Sequence, residues 1–173
     1  MNRYLFKTTL TNSLKTSVND VKRSTGNVLA KKVFLVQTDT TVGFLSQNGR
    51  ALAEIKERPF NKPFVQVTSS LRTLKMLTRV PKQHKNRVRR AKKTTFAYTD
   101  NKAIRVVKDK AHAKFIEPYG WFYSTSANEK SLAYDKEFAY AKSDIIIEDK
   151  KGLFEGESSA IYKLFKNKIQ RLR

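Results

Sequence analysis

Lys31-Lys32-Val33-Phe34-Leu35-Val36-Gln37-Thr38-Asp39-Thr40-Thr41-Val42-Gly43 is the stretch on which the reading of the fold turns. Val33 to Val36 is a short, apolar, β-prone run set between two lysines and a polar Thr-Asp-Thr segment, so it predicts a buried strand that delivers a polar loop. A loop at the end of such a strand can present hydroxyls and backbone N–H groups to a ligand. Taken alone, the same Thr and Asp residues are also ordinary turn and capping residues.

Outward from this strand the pattern alternates. Residues 45–57 carry Leu45, Leu52 and Ile55 at helical spacing, with Asn48-Gly49 at an ambiguous start and Pro59 as a stop, because the residue before a proline is driven to extended geometry. Residues 64–67 read as a strand. Residues 69–77 read as a helix with Ser69 or Ser70 at its N-cap and Leu71, Leu74 and Leu77 facing inward. Pro81 suits the first position of a helix over 82–93. Residues 94–98 and 103–107 predict two strands joined at Asp100-Asn101. A helix over 110–116, a strand over 121–123, a helix over 132–142 and strands over 144–147 and 160–165 complete the series. The prediction is an α/β fold with a twisted mixed sheet flanked by helices. At 173 residues, with no internal repeat and no long linker, the chain fits one domain over residues 31–173. Residues 1–30 form an N-terminal extension or the first elements. Their Ser, Thr, Lys and Arg content with Asp20 as sole acid can read as a transit peptide, while Tyr4, Leu5, Phe6 and Leu10 can read as a packed first element.

Thirty-six Lys and Arg face 15 Asp and Glu, a formal charge of +21, which predicts salt-sensitive attraction of polyanions such as RNA, DNA or nucleotide phosphates. The absence of cysteine excludes disulfides, thiolate metal sites and a Cys nucleophile, and fits a reducing, cytoplasmic compartment. His84 and His112 sit among lysines with no carboxylate cluster beside them. The expectation is two solvated surface histidines and no protein-built metal site. No apolar run approaches the ~18 residues needed to cross a bilayer.

Two further segments carry chemistry. In Lys56-Glu57-Arg58-Pro59, the extended geometry that Pro59 imposes would send Lys56 and Arg58 to one side of the chain. Converging Lys and Arg suit a triphosphate, Arg as a planar fork and Lys as a point charge. In Trp121 to Asn128, a β-prone stretch runs into a small polar loop where Ser126 and Asn128 can hydrogen-bond phosphate or ribose and Ala127 permits close approach.

Together, in this order and spacing, the segments resemble the YrdC/YciO family of threonylcarbamoyl-adenylate synthases. The family's Pro-Thr-Asp-Thr-Val-Tyr-Gly-Leu loop is represented by Gln37 to Phe44, and its Lys-x-Arg-Pro by Lys56 to Pro59 with Lys62-Pro63 following. Its Ser-Thr-Ser-Ala-Asn is matched by Ser124 to Asn128, its strand arginine by Arg105, and its late Ser/Thr pair by Ser158-Ser159. Departures are Gln37 for Pro, Val42 for the aromatic, and Arg90-Ala91-Lys92-Lys93 for the Trp-Pro-Gly-Pro segment. The resemblance implies a YrdC-like domain with a basic concave pocket. It implies nucleotidyl transfer from ATP, as Mg2+ held on the triphosphate, to the carbamate of L-threonine and bicarbonate. The product would serve threonylcarbamoyladenosine modification of tRNA through a downstream threonylcarbamoyl-transferase complex.

By the same resemblance Lys56 and Arg58 would hold the ATP phosphates, Ser126 and Asn128 the adenylate, Thr38 and Arg105 threonine and its carboxylate, and Ser158 or Ser159 would close the pocket. An alternative reading is a diverged YrdC-like protein that binds double-stranded RNA or tRNA without synthase activity. It rests on the acid-free stretch 79–93, where Lys82, Lys85, Arg89 and Lys92 would share one helical face. A carbamoyl-transfer domain of hydrogenase maturation ranks last, since its zinc modules need cysteines.

Overall fold

The computed structural model describes residues 26–59, 61–129, 132–148 and 151–173. The two readings of the N-terminal 25 residues lie outside the described residues. Strand β1 (Phe34–Gln37) forms an antiparallel hairpin with β2 (Val42–Ser46), Gln37 opposite Val42. The hairpin loop is stitched by Thr38, whose Oγ accepts from the Thr40 and Thr41 amides at 3.1 and 3.2 Å and donates to the Thr41 carbonyl at 2.6 Å. This is how a Thr side chain replaces backbone partners in a tight turn.

The remaining strands are β3 (Val65–Thr68), β4 (Thr94–Ala97), β5 (Ala103–Val106), β6 (Trp121–Ser126), β7 (Ile145–Ile147), β8 (Ala160–Leu164) and β9 (Ile169–Arg171). They join the hairpin in one mixed nine-stranded sheet of order β7-β1-β2-β6-β3-β5-β4-β8-β9. The parallel pairs are β1/β7, β3/β5 and β4/β8, and the others are antiparallel. Side chains alternate across the sheet. Phe34, Val36, Leu45, Val67 and Phe122 therefore share one face, where they pack with Ala30, Val107 and Ile116. The opposite face holds two clusters, Leu35 and Phe44 with Leu52, Ala53 and Ala139, and Phe96, Ile104 and Leu164 with Leu74 and Val88.

Helix α1 (Gly26–Leu29) is a single turn. Helices α2 (Gly49–Ile55), α3 (Leu71–Leu77), α5 (Lys110–Ile116) and α6 (Lys136–Ala141) each start at a side-chain cap: Asn48, Ser70, Asp109 and Asp135 accept backbone N–H groups of the first turn. Such caps contribute on the order of 1 kcal/mol each. Helix α4 (Lys85–Arg90) follows a 3-10 turn over Lys82–His84 that Pro81 opens.

Several expectations need correction. Leu45 belongs to β2, not to a helix, because Val42 to Ser46 is buried on both faces and such a run has no period of its own. Ser124 to Ser126 extend β6 instead of forming a loop, held by β2 and β3 on either side. The helix expected over 132–142 begins only after its Asp135 cap, and β9 was not anticipated. His84 and His112 are 8% and 3% exposed, not solvated, since each turns into the core: His84 Nε2 lies 3.0 Å from the Phe165 carbonyl, and His112 faces Asp39. Among the described residues, no helix is long and apolar enough to cross a membrane.

The segment before β8 is pinned across the hairpin loop. Phe154 N–H donates to Gln37 Oε1 at 3.0 Å, Val42 N–H donates to the Phe154 carbonyl at 3.1 Å, and Gly156 N–H donates to Thr41 Oγ at 3.0 Å. Gln37, which stands where the related motif has proline, thus holds this strap. A Cβ at Gly156 would overlap the Thr40 carbonyl oxygen, a backbone atom that has no rotamer by which to yield. Gly156→Ala is expected to destabilise the chain by about 1–3 kcal/mol, as overpacking does, which a chemical denaturation curve would register.

Candidate functional site

The strap, the hairpin loop and β5, β6 and β8 enclose a cavity of about 220 Å³. Thr38, Arg58, Arg105, Ser126, Ser158 and Ser159 all line it, so six of the eight residues expected for catalysis and substrate binding converge. The other two, Lys56 and Asn128, stand beside Ser126. Lys56 Nζ donates to Asn128 Oδ1 at 2.9 Å, to the Ser126 carbonyl at 3.4 Å and, at close range, to the Asn128 carbonyl. Ser126 Oγ donates to the same Asn128 Oδ1 at 2.5 Å.

Lys56 and Arg58 reach this region by a different route from the one expected. Lys56 caps the C-terminus of α2 (φ −91°, ψ 4°) and Glu57 is left-handed (φ 45°), so the two cations do not project from an extended strand. The turn sends Lys56 to the Asn128 loop and Arg58 over the Phe64 ring, with its Cζ 3.5 Å from the centroid. Arg58 is held there by the Lys62 and Pro63 carbonyls at 3.0 and 3.1 Å, while its Nε is buried without a partner. Burial, and then the Arg58 charge, lower the Lys56 ammonium; burial also lowers Arg58. An anion arriving between them would be doubly attracted.

On the far wall Arg105 is almost wholly buried on β5. Its Nη2 lies 3.1 Å from Asp39 Oδ1 and its Nη1 donates to Thr40 Oγ at 3.2 Å, while Nε has no partner. Thr38 Oγ and Thr40 Oγ are 3.0 Å apart, so Arg105, Asp39 and the hairpin loop form one network. The Thr38 hydroxyl is committed to the loop and offers the cavity little more than its methyl group. Ser159 Oγ pairs with Thr95 Oγ at 2.9 Å, and Arg173 closes the wall by donating Nε–H to the Ser159 carbonyl at 3.1 Å. Arg173 was not expected; it follows no motif in the sequence and reaches the site through the β8/β9 pairing. Gly43 keeps the floor open, since a Cβ there would meet the Thr125 carbonyl at 2.9 Å.

Behind Arg105 lies His112. Its Nδ1 is 3.3 Å from Asp39 Oδ1 and 3.2 Å from the Asp39 amide nitrogen, which donates to it. One nitrogen cannot accept and donate at once. A ring protonated only on Nε2 accepts from the amide, whereas a ring with a proton on Nδ1, neutral or charged, donates to the carboxylate. Burial outweighs the attraction of Asp39 and lowers His112 below its usual range, which selects the neutral ring. For Asp39, burial acts to raise the carboxyl, but a hydrogen bond from a His112 Nδ1 that carries a proton and, whichever form the ring takes, the Arg105 charge act against it and hold the carboxyl lower.

The four residues put forward for RNA do not share a helical face. Lys82 is in the 3-10 turn, Lys85 and Arg89 are on α4, and Lys92 lies past its Ala91 cap; all are exposed. Among the described residues no group of three or more His, Asp or Glu side chains is placed to hold a metal ion.

A family model for Sua5, YciO and YrdC proteins, described as telomere recombination, matches residues 27–173. The fold is similar to that of P. abyssi Sua5 complexed with L-threonine, at 19% identity and TM-score 0.74, over 92% of this chain and 55% of that one. It is also similar to MTH1692 from Methanobacterium thermoautotrophicum (18% identity, TM-score 0.65, 94% and 89% covered). E. coli YciO matches at 14% identity and TM-score 0.67, with 92% and 90% covered. The chain spans about half the length of the P. abyssi protein. No curated protein sequence matches it significantly.

A lowered His112 has a sign that can be checked. The unfolded chain binds a proton near pH 6.5 that the folded chain resists, so stability falls as pH drops below about 6.5. His112→Asn, which cannot titrate, should flatten the fall in melting temperature between pH 7 and pH 5.

Proposed function

The chain belongs to the Sua5/YciO/YrdC family, and from that premise we propose that its cavity forms L-threonylcarbamoyl-adenylate from ATP, L-threonine and bicarbonate. The observation that carries this reading is the convergence of Arg58, Arg105 and Ser126 on one small cavity, with Lys56 and Asn128 locked to Ser126. In the reaction a carbamate oxygen on threonine's nitrogen attacks the α-phosphorus of ATP. The bond from that phosphorus to the bridging oxygen breaks, and pyrophosphate leaves. Such a transfer needs in-line positioning and charge neutralisation more than covalent help from the protein.

Lys56 and Arg58 take the triphosphate; burial lowers both, the Arg58 charge lowers Lys56 further, and a bound anion would offset these costs. Ser126 and Asn128 take the adenylate. Arg105, with Thr38 and Thr40 behind it, takes the threonine carboxylate; its unpartnered Nε supports this, being a buried donor that a bound carboxylate would satisfy. Ser158, exposed on the strap, and Ser159, buried, close over the ligand. Magnesium would enter with ATP on its phosphate oxygens and keep several of its own waters. The product is a mixed anhydride, a reactive acyl donor that a threonylcarbamoyl transferase acting on tRNA would consume, in the cytoplasm.

The test is pyrophosphate release from ATP, Mg2+ and bicarbonate with and without L-threonine. Release should depend on threonine, and Lys56→Ala or Arg58→Ala should each lower kcat by about a hundredfold or more, the usual effect of removing one donor that stabilises developing charge. Full activity in both variants would overturn the assignment.

A further inference from the structure

The face of the sheet opposite the cavity carries a larger groove of about 570 Å³. Adjacent strand residues face opposite ways. Val65 and Ser124 line the first cavity, whereas Gln66 and Tyr123, which oppose each other across β3 and β6, line this groove. Its lining comes from the start of α2, the segment leading into β3, the β4–β5 loop and strands β3 and β6.

Lys31, Arg50, Lys62 and Lys102 supply its charge, and no carboxylate is among its lining residues. Lys102 is already tied to Asp100 at 3.5 Å and to the Leu77 carbonyl at 2.6 Å, so the phosphate-binding role falls to Lys31 and Lys62. In a chain of charge +21 a basic groove alone says little. Gln66 is what sets it apart: its side chain is 8% exposed and its Oε1 is buried without a hydrogen-bond partner. Buried carboxamides are ordinarily satisfied. Beside it the half-buried Tyr123 ring is braced by Trp121 at 5.0 Å and Phe64 at 6.1 Å.

Cations, an aromatic wall and a carboxamide that can both donate and accept match the three parts of a nucleotide: phosphate, base face and base edge. We propose that this groove is a second binding site, for a nucleoside phosphate, with Lys31 and Lys62 on the phosphate, Tyr123 against the base and Gln66 on its edge. The assignment does not depend on which reaction the first cavity performs.

The experiment titrates AMP, and separately a short single-stranded RNA, into the intact chain, into Lys56→Ala/Arg58→Ala, and into that double variant carrying Gln66→Leu. Binding should survive loss of the first-cavity cations. It should weaken roughly three- to tenfold on Gln66→Leu, the worth of one hydrogen bond. Lys31→Ala/Lys62→Ala should reduce the log–log salt slope for RNA by about 0.7 per cation removed. Since Gln66→Leu removes an orphaned oxygen from the interior, the melting temperature should hold or rise. AMP bound as tightly as RNA marks the ligand as a free nucleotide, and RNA bound much more tightly marks it as a strand; either supports the site. Overturning results are no binding of either probe, binding abolished by Lys56→Ala/Arg58→Ala, or affinity unmoved by Gln66→Leu. A steep fall in melting temperature on that substitution, assigning Gln66 a structural role, would also overturn it.

Discussion

The cavity depends on the ion pair between Arg105 and Asp39. Both side chains are about 5% exposed, and taking two charges out of water costs several kcal/mol per ion after relaxation. A buried pair of this kind adds little net stability, and apolar residues of similar volume would often do as well. Its consequence here is geometric. Asp39 belongs to the loop that joins β1 to β2 and Arg105 to β5, three strands further across the sheet, so the pair fixes the loop over the sheet. Thr38 and Thr40 extend the same network, and His112 backs it from α5. The guanidinium is thereby aimed before any ligand arrives, with one donor still unpartnered. Preorganisation of this sort is what charge-stabilising sites require.

Around this pair, space is made by what is absent. Gly43 leaves the floor clear where any Cβ would press on β6, and Gly156 lets the strap lie on the Thr40 carbonyl. The cations on the opposite wall are placed by a helix end, Lys56 at the cap of α2 and Arg58 past the left-handed Glu57. Because β3 and β6 alternate their side chains, the same two strands serve both faces. Val65 and Ser124 face the first cavity, while Gln66 and Tyr123 face the second groove. Pro63 and Phe64 form the rim that both share.

Much of this was legible in the chain. Strand β1, the cap at Ser70, the β4/β5 hairpin and helix α5 follow from local pattern and capping chemistry. The motif residues Lys56, Arg58, Arg105, Ser126 and Asn128 were also recognisable, and they do gather in one place. Other features are decided by tertiary contact alone. The burial of His112 depends on Asp39, 73 positions away, so its lysine-rich neighbours misled. Val42 to Ser46 had no period to read because both of its faces are covered. Arg173 comes to the cavity only through the β8/β9 pairing, and the face expected for Lys82, Lys85, Arg89 and Lys92 breaks where α4 ends at Ala91.

The decisive measurement is a crystal structure of the chain with L-threonine. The amino-acid carboxylate is expected within hydrogen-bond reach of the Arg105 guanidinium, inside the cavity that Arg58 and Ser126 also line, with the Asp39 pair unchanged. Threonine bound elsewhere, or an Arg105 that leaves Asp39 without contacting it, would contradict the role given to this pair and with it the assignment of the cavity.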